Sequence, residues 1–241
     1  MTDADTRALQ AASFGAAAEA YERGRPEYPQ DAVDWLVPAD ANAVIDLGAG
    51  TGKLTRLLTK RAKDVVAIDP SQAMLTILGD VVSGVEAMVG TAEEIPIADG
   101  AADAVVVAQA WHWVDPVAAS AEVGRVLRPG GTLGLVWNFR DESEPWVAEL
   151  GRILDDGNTE NSIGTPEVLA PFGELERFET SWVDELSHDE VMDLVFSRSY
   201  IITADEERRT QVRSEVDALV TGLGDVVRLP YRTVCFRATR P

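Results

Sequence analysis

Three glycines on alternate positions, Gly48-Ala49-Gly50-Thr51-Gly52, follow the apolar run Val44-Ile45-Asp46-Leu47 and lead into a segment of helical composition. Glycine lets backbone turn tightly and come close to a bound molecule, so such a loop at the carboxyl end of a buried strand is a platform for a ligand. The next β-rich run, Val65-Val66-Ala67-Ile68, ends in Asp69. That carboxylate lies about 20 residues beyond the glycines, the spacing at which an acid accepts both hydroxyl hydrogens of a ribose. A dinucleotide fingerprint would need glycine at position 53, where Lys53 stands. The pattern predicts a nucleoside-bearing ligand other than a nicotinamide dinucleotide. Asp46, just before the glycines, admits two readings: a hydrogen-bonded brace for the loop, or a contact to the ligand.

A second chemically capable stretch is Gln109-Ala110-Trp111-His112-Trp113-Val114-Asp115. His112 is one of 2 histidines, and an imidazole titrates close enough to neutrality to serve as a general base. The alternative is that Trp111 and Trp113 are core aromatics and His112 a hydrogen-bonded partner among them. His188 sits inside Leu186-Ser187-His188-Asp189-Glu190, which reads as a helix start rather than as catalytic machinery. No Cys/His/Asp group has metal-ligand spacing, so no metal is expected.

The elements that must position these residues alternate between β-rich and helical runs from residue 43 to 137, the pattern of a parallel sheet covered by helices on both faces. Strands are predicted at Ala43 to Leu47, Asp64 to Ile68, Gly84 to Val89, Ala102 to Ala108 and Gly131 to Trp137, each nearly continuous in apolar residues. Helices are predicted at Gly52 to Ala62, Ser71 to Leu78 and Asp115 to Leu127, the last closed by Arg128-Pro129-Gly130-Gly131. Beyond Trp137 the rhythm changes. A charged loop (Arg140 to Pro145), a helix (Trp146 to Leu154) and a polar segment (Asp155 to Pro166) read as an insertion. A strand at Phe178 to Leu186, helices near Asp189 to Arg198 and Asp205 to Leu219, and a last strand at Thr233 to Thr239 complete the chain. The alanine-rich Leu9 to Glu22 is helical by propensity.

Four motifs in order, Asp46-Leu47-Gly48-Ala49-Gly50-Thr51-Gly52, Asp69-Pro70-Ser71 with Met74-Leu75, Gly90-Thr91-Ala92-Glu93 with Ile95-Pro96, and Leu127-Arg128-Pro129-Gly130-Gly131, resemble the successive signatures of class I methyltransferases. The resemblance implies an α/β, Rossmann-like, doubly wound and mostly parallel seven-stranded sheet with an antiparallel last strand, an N-terminal helical lid and a small insertion in the C-terminal half. It divides the chain into an arm at 1–30 and a methyltransferase domain at 31–241, with a cofactor-binding half at about 43–137 and a substrate-side insertion at about 140–220. It implies S-adenosyl-L-methionine as methyl donor. By that resemblance Gly48, Ala49 and Gly50 pass its methionine part, Asp69 holds its ribose, Ala92 and Glu93 lie beside adenine, and Gln109 is placed for the methionine amino group. For Glu93 a solvated loop acid is the equal alternative. The segment Tyr21-Glu22-Arg23-Gly24-Arg25-Pro26-Glu27-Tyr28-Pro29 resembles an arm of the small-molecule branch, trans-aconitate-methyltransferase-like enzymes included, which folds over the cofactor. Tyr21 and Arg25 are its candidate cofactor contacts, and a guanidinium also matches a carboxylate bidentately; the alternative is a packing arm with solvent-facing arginines.

With 21 Lys and Arg against 41 Asp and Glu, the formal net charge is -20, a field that repels phosphate backbones and anionic membranes. The basic groups Lys60-Arg61 with Lys63, and Arg208-Arg209, are short. Neither a nucleic acid nor a membrane is expected as partner. The expected partner is a small-molecule methyl acceptor, methylated at oxygen or nitrogen, with the chain a monomer or homodimer. A lone Cys235 and an amino terminus without a signal-peptide pattern point to a cytoplasmic protein. The competing functional readings are a catalytically inert S-adenosylmethionine-binding regulatory protein and a nucleotide-dependent oxidoreductase.

Overall fold

The computed structural model describes residues 22, 24–154 and 164–241. Tyr21, nearly all of the alanine-rich helix predicted at Leu9 to Glu22, and residues 155–163 of the polar segment lie outside the described residues. Seven strands, β1 (Ala43–Leu47), β2 (Asp64–Asp69), β3 (Glu86–Val89), β4 (Ala102–Ala108), β5 (Leu127–Arg140), β6 (Glu176–Leu186) and β7 (Val227–Thr239), form one sheet in the order β3-β2-β1-β4-β5-β7-β6. β1 to β5 pair in parallel, and the last strands are antiparallel. The chain winds outward from β1 through β2 to β3 and then returns to the other side of β1 as β4. That reversal opens a crevice at the carboxyl ends of the strands, the place where open α/β sheets bind ligands.

The helices are α1 (Gln30–Leu36), α2 (Thr55–Leu58), α3 (Gln72–Val81), α4 (Pro116–Val126), α5 (Pro145–Leu154), α6 (His188–Phe196), α7 (Ser199–Ile202) and α8 (Glu206–Thr221). α4 starts sharply: Asp115 caps it by accepting from the amides of Val117 (2.9 Å) and Ala118 (3.1 Å), and Pro116 occupies the first turn, where its missing N–H is not needed. Ser187 caps α6 in a reciprocal capping box with Glu190, as the sequence around His188 leads one to expect. The expected helix at Gly52 to Ala62 is helical only over Thr55–Leu58. β5 begins at Leu127, where α4 ends, so Pro129-Gly130-Gly131 stops the helix but also forms the entrance to a strand.

The described residues gather into two compact units. The first comprises Glu27–Trp137, Thr165–Thr180 and Thr233–Pro241; the second comprises the described parts of Met1–Pro26, with Asn138–Gly164 and Ser181–Arg232. In the first unit, Ala32, Val33 and Leu36 of α1 pack on Val44, Ala104, Val106, Val136 and Cys235. Burial there pushes the Cys235 thiol up to about 12. Leu75 and Leu78 of α3 pack on Ala49 and Ala67 beneath the glycine loop. The second unit has its own core, in which Leu150 and Ile153 of α5, Val191 and Val195 of α6, and Val212 and Val216 of α8 meet. Among the described residues no helix is long and apolar enough to cross a membrane.

Gly124, within α4, faces Pro171 so closely that an added Cβ would lie 2.6 Å from both Cδ and Cγ of the proline ring. Alanine is the better helix former by about 1 kcal/mol, but crowding a rigid ring costs roughly 1–3 kcal/mol. Gly124→Ala is therefore expected to lower the melting temperature in spite of its helix propensity. An unchanged or raised melting temperature would mean that the Pro171 segment yields freely.

Candidate active site

β1 and β2 end side by side, and their last residues set the site. Asp46 pairs in register with Ala67, and Leu47 with Ile68. Past these residues the glycine loop turns back on β2: the Gly48 and Ala49 amides both donate to the Ile68 carbonyl (2.8 and 3.0 Å). The Gly50 amide donates to Asp69 Oδ2 at 2.9 Å, and the Gly52 amide to the Ala49 carbonyl at 3.0 Å. Gly48 has φ +74°, and a Cβ there would stand 2.9 Å from that of Ala110, so only glycine fits both the handedness and the space.

This use of the loop amides has a chemical consequence. A pyrophosphate site needs backbone N–H groups directed at the ligand. Here the amides of Gly48, Ala49, Gly50 and Gly52 are bonded within the protein. The glycines supply close approach rather than an anion cradle, which suits a nucleoside ligand without phosphates.

Asp69 is 8% exposed and accepts a second backbone hydrogen bond at Oδ1, from the Ser71 amide (2.8 Å). Each oxygen keeps a further lone pair, so bracing the loop and binding a ligand are compatible for this carboxylate. Burial raises its pKa, while the bonds from Ser71 and Gly50 oppose the rise. Asp46 is fully buried; its Oδ2 accepts from Thr55 Oγ1 at 2.6 Å, and its Oδ1 has no hydrogen-bond partner among the described residues. Desolvation is the main cause that pushes its pKa from 3.8 up to about 7, with the nearby Asp69 charge adding to the rise. An orphaned carboxylate oxygen this deep is a place for an incoming donor, and an ammonium group or its water would satisfy it. Thr55, nine residues on in the first turn of α2, is the partner that sequence spacing did not single out.

Ala92 is buried (7% exposed), whereas Glu93 is exposed and uses Oε1 to accept from the Asp115 amide at 2.9 Å. Glu93 therefore has a structural task at the start of α4. Gln109 takes φ +55°, and it is the non-glycine residue in the left-handed region among those described. Its amide donates to the Val136 carbonyl at 2.9 Å. Holding a side-chain-bearing residue in that conformation costs of order 1–2 kcal/mol, and such strain collects at functional turns. Arg25, the described member of the arm's candidate pair, belongs to the second unit and is half-buried.

Trp111 and His112 separate in role. Trp111 is buried and donates its indole N–H to the Glu167 carbonyl (2.9 Å), so it is a core aromatic that pins a loop. His112 receives a long hydrogen bond, 3.4 Å, from Trp137 Nε1 at its Nδ1. An indole N–H only donates, so this Nδ1 carries the lone pair and the ring proton is on Nε2. Solvent reaches the ring, but protein packed around the rest of it disfavours the charged form and lowers the pKa from 6.5 to about 4. The resulting group is a neutral imidazole that offers an N–H. Trp113, 42% exposed, lies beside it with ring centroids 4.7 Å apart.

Comparison with known proteins identifies the family. A methyltransferase-domain family model matches residues 45–135. A methyltransferase of Mycobacterium tuberculosis, named as uncharacterised, is 51% identical over 234 residues, covering 94% of this chain and 95% of its own length. A malonyl-[acyl-carrier protein] O-methyltransferase of Methylococcus capsulatus is 35% identical over 150 residues, 57% of this chain and 53% of that protein. Among solved structures, a protein of Anaeromyxobacter dehalogenans provisionally described as a type II methyltransferase superposes with a TM-score of 0.69 over 89% of this chain and 97% of its own, at 23% identity, which bears on the fold. With the glycine loop, the two strand-end carboxylates and the sheet order already in place, these matches make the chain a member of the class I S-adenosylmethionine-dependent methyltransferases.

Proposed function

We propose that the protein transfers the methyl group of S-adenosylmethionine to the oxygen or nitrogen of a small-molecule acceptor. The observation that carries the cofactor side of this reading is the pair of buried carboxylates beside a glycine loop whose own amides are already bonded. When bound, the cofactor supplies an electrophilic methyl on a sulfonium with its leaving group built in, so the protein's work is alignment and exclusion of water. The remaining lone pairs of Asp69 accept the ribose hydroxyls. Asp46 Oδ1 takes the methionine ammonium, directly or through water, and Gly48, Ala49 and Gly50 give the backbone clearance. Gln109 reaches the same ammonium from the end of β4, Ala92 forms a wall for adenine, and Glu93 secures the loop behind it. A small acceptor is supported by the net charge of -20, which opposes a nucleic-acid partner. Methylation at oxygen is in keeping with the activity named for the Methylococcus capsulatus relative.

For His112, we read a donor in place of a base. Its Nδ1 lone pair is engaged by Trp137 and its Nε2 carries a proton, so the ring orients an acceptor oxygen by hydrogen bonding. A group that must take up a proton would need the opposite arrangement.

Three outcomes test these assignments. Asp69→Ala should weaken S-adenosylmethionine binding by about 1.5–3 kcal/mol, the range for hydrogen bonds to a charged group; unchanged affinity in the folded variant removes the ribose assignment.

Asp46 supplies a pH test. Its folded pKa of about 7 lies above the unfolded 3.8, so the folded state holds the extra proton. The stability this contributes is complete below about pH 4 and is lost as the pH rises toward 7. A cationic ligand prefers the ionised carboxylate. Cofactor affinity should therefore increase with pH up to about 7 and then level, with proton release on binding below it, measurable by titration calorimetry in buffers of different ionisation heat. A flat profile, and native affinity in Asp46→Asn, would leave Asp46 a brace only.

His112→Ala should lower turnover while leaving cofactor affinity nearly intact, and by similar factors for a phenol and for a carboxylate acceptor. The wild-type rate should show no loss between pH 8 and pH 5 attributable to this imidazole, since it stays neutral down to about 4. A rate that falls as the pH drops through 6.5 and loses that dependence in His112→Ala, with the phenol reaction alone impaired about 10²-fold, would restore the base.

A further inference from the structure

The second unit contains a charged cluster that the cofactor chemistry leaves unused. Arg140, the last residue of β5, Arg198, just beyond α6, and Tyr231 of β7 are 4%, 6% and 1% exposed. They come from distant parts of the chain; strand pairing brings Arg140 and Tyr231 together, and Arg198 lies close enough for its charge to act on the Tyr231 hydroxyl. The Asp141 amide donates to the Pro230 carbonyl at 2.9 Å, which sets Arg140 beside Tyr231 on the neighbouring strand. Tyr231 stacks on Trp182 of β6, with ring centroids 5.0 Å apart at 17°. Along β6, Trp182, Asp184 and Leu186 are half-buried while the residues between them are exposed, so Asp184 shares the face that carries the stack. Gly24 presses against the α6 backbone, where an added Cβ would fall 2.3 Å from the Asp193 carbonyl oxygen, and this close approach brings Arg25 alongside.

The charged groups that act on the Tyr231 hydroxyl are Arg198, Arg140 and Arg25 on the positive side and Asp184 on the negative. In a chain of net charge -20, this is a local excess of positive charge in a buried place. The hydroxyl itself has no hydrogen-bond partner among the described residues. A phenol O–H buried without an acceptor costs about 1–3 kcal/mol, and a native structure that keeps one calls for a reason. An acceptor oxygen that carries negative charge would satisfy the O–H and match the forked guanidinium donors at once. Arg25 and Asp184, half-buried, mark the side that solvent reaches.

We propose that Arg140, Arg198 and Tyr231, with Arg25 and Asp184 at the margin, form a site within the second unit that binds an oxyanion group, a carboxylate or a phosphate. The anion site stands independently of the methyltransferase reading above. Tyr231 donates one hydrogen bond, the guanidiniums supply charge and planar donors, and Asp184 holds the arginines in orientation.

The test is titration calorimetry of the full chain, with and without saturating S-adenosylhomocysteine, using sodium succinate and inorganic phosphate as probes. At least one anion is expected to bind, succinate alone marking a carboxylate site and phosphate alone a phosphate site. Tyr231→Phe keeps the ring stack and removes only the hydroxyl. It should melt no lower than wild type yet bind the anion about ten-fold or more weakly, with S-adenosylhomocysteine affinity unchanged. Arg198→Gln should weaken the anion further, and should it fail to fold, Tyr231→Phe decides alone. The proposal is overturned if neither probe binds, or if Tyr231→Phe binds both as wild type does. Failure of S-adenosylhomocysteine to bind would strike the cofactor reading instead, and the anion titration without it would still report on the subsite.

Discussion

One carboxylate fixes the geometry of the loops at the ends of β1 and β2. Asp69 accepts from the Gly50 amide through one oxygen and from the Ser71 amide through the other. It thereby ties the loop after β1 to the start of α3, where the Ser71 side chain in turn caps the helix by accepting from the Met74 amide at 3.4 Å. Two loops that would otherwise move independently are held by a group buried deeply enough for its hydrogen bonds to be strong. The glycine loop adds bonds to the Ile68 carbonyl at the end of the same strand. The ends of β1 and β2, the loop and the helix start behave as one piece of local structure, and a ligand settles on a surface already organised.

Burial also explains why the site is electrically quiet. Asp46, with no exposed surface, is pushed toward its protonated form by the loss of water around it, and His112, which solvent reaches, is held toward its neutral form by the protein packed against part of its ring. With a pKa near 7, Asp46 couples proton loss to anything that brings positive charge beside it.

Much of this was legible in the sequence because strand, loop and helix follow one another within short spans. Val44 to Gly52 places a buried strand against a turn that only glycine can make, and Asp69 follows at the expected interval. β1 and β4 fall where continuous apolar runs predict them. What could not be read are relations between residues remote along the chain. Nothing in the spacing pairs Trp137 with His112, yet that hydrogen bond decides which ring nitrogen bears the proton. Nothing pairs Glu93 with Asp115 or Asp46 with Thr55. The left-handed backbone of Gln109 carries no signal, because glutamine has no preference for that region. Arg140 and Tyr231 look like ordinary surface or core residues until β5 and β7 set them side by side, and nothing in the spacing marks Arg198, which follows α6. α1 is too short for a helical period to show, and its existence rests on the apolar face that Ala32, Val33 and Leu36 present to the sheet.

Cys235 has a consequence of a different kind. Its sulfur lies in the core beside Val44 and Val136, with no exposed surface, and its thiol loses a proton only near pH 12. Oxidants and alkylating reagents attack the thiolate, and they must reach it. The chain's single sulfhydryl is thus silent while the fold is intact and reactive once it opens. Labelling by a maleimide becomes a clock for unfolding: the rate at which Cys235 is modified measures how often the first unit exposes its core.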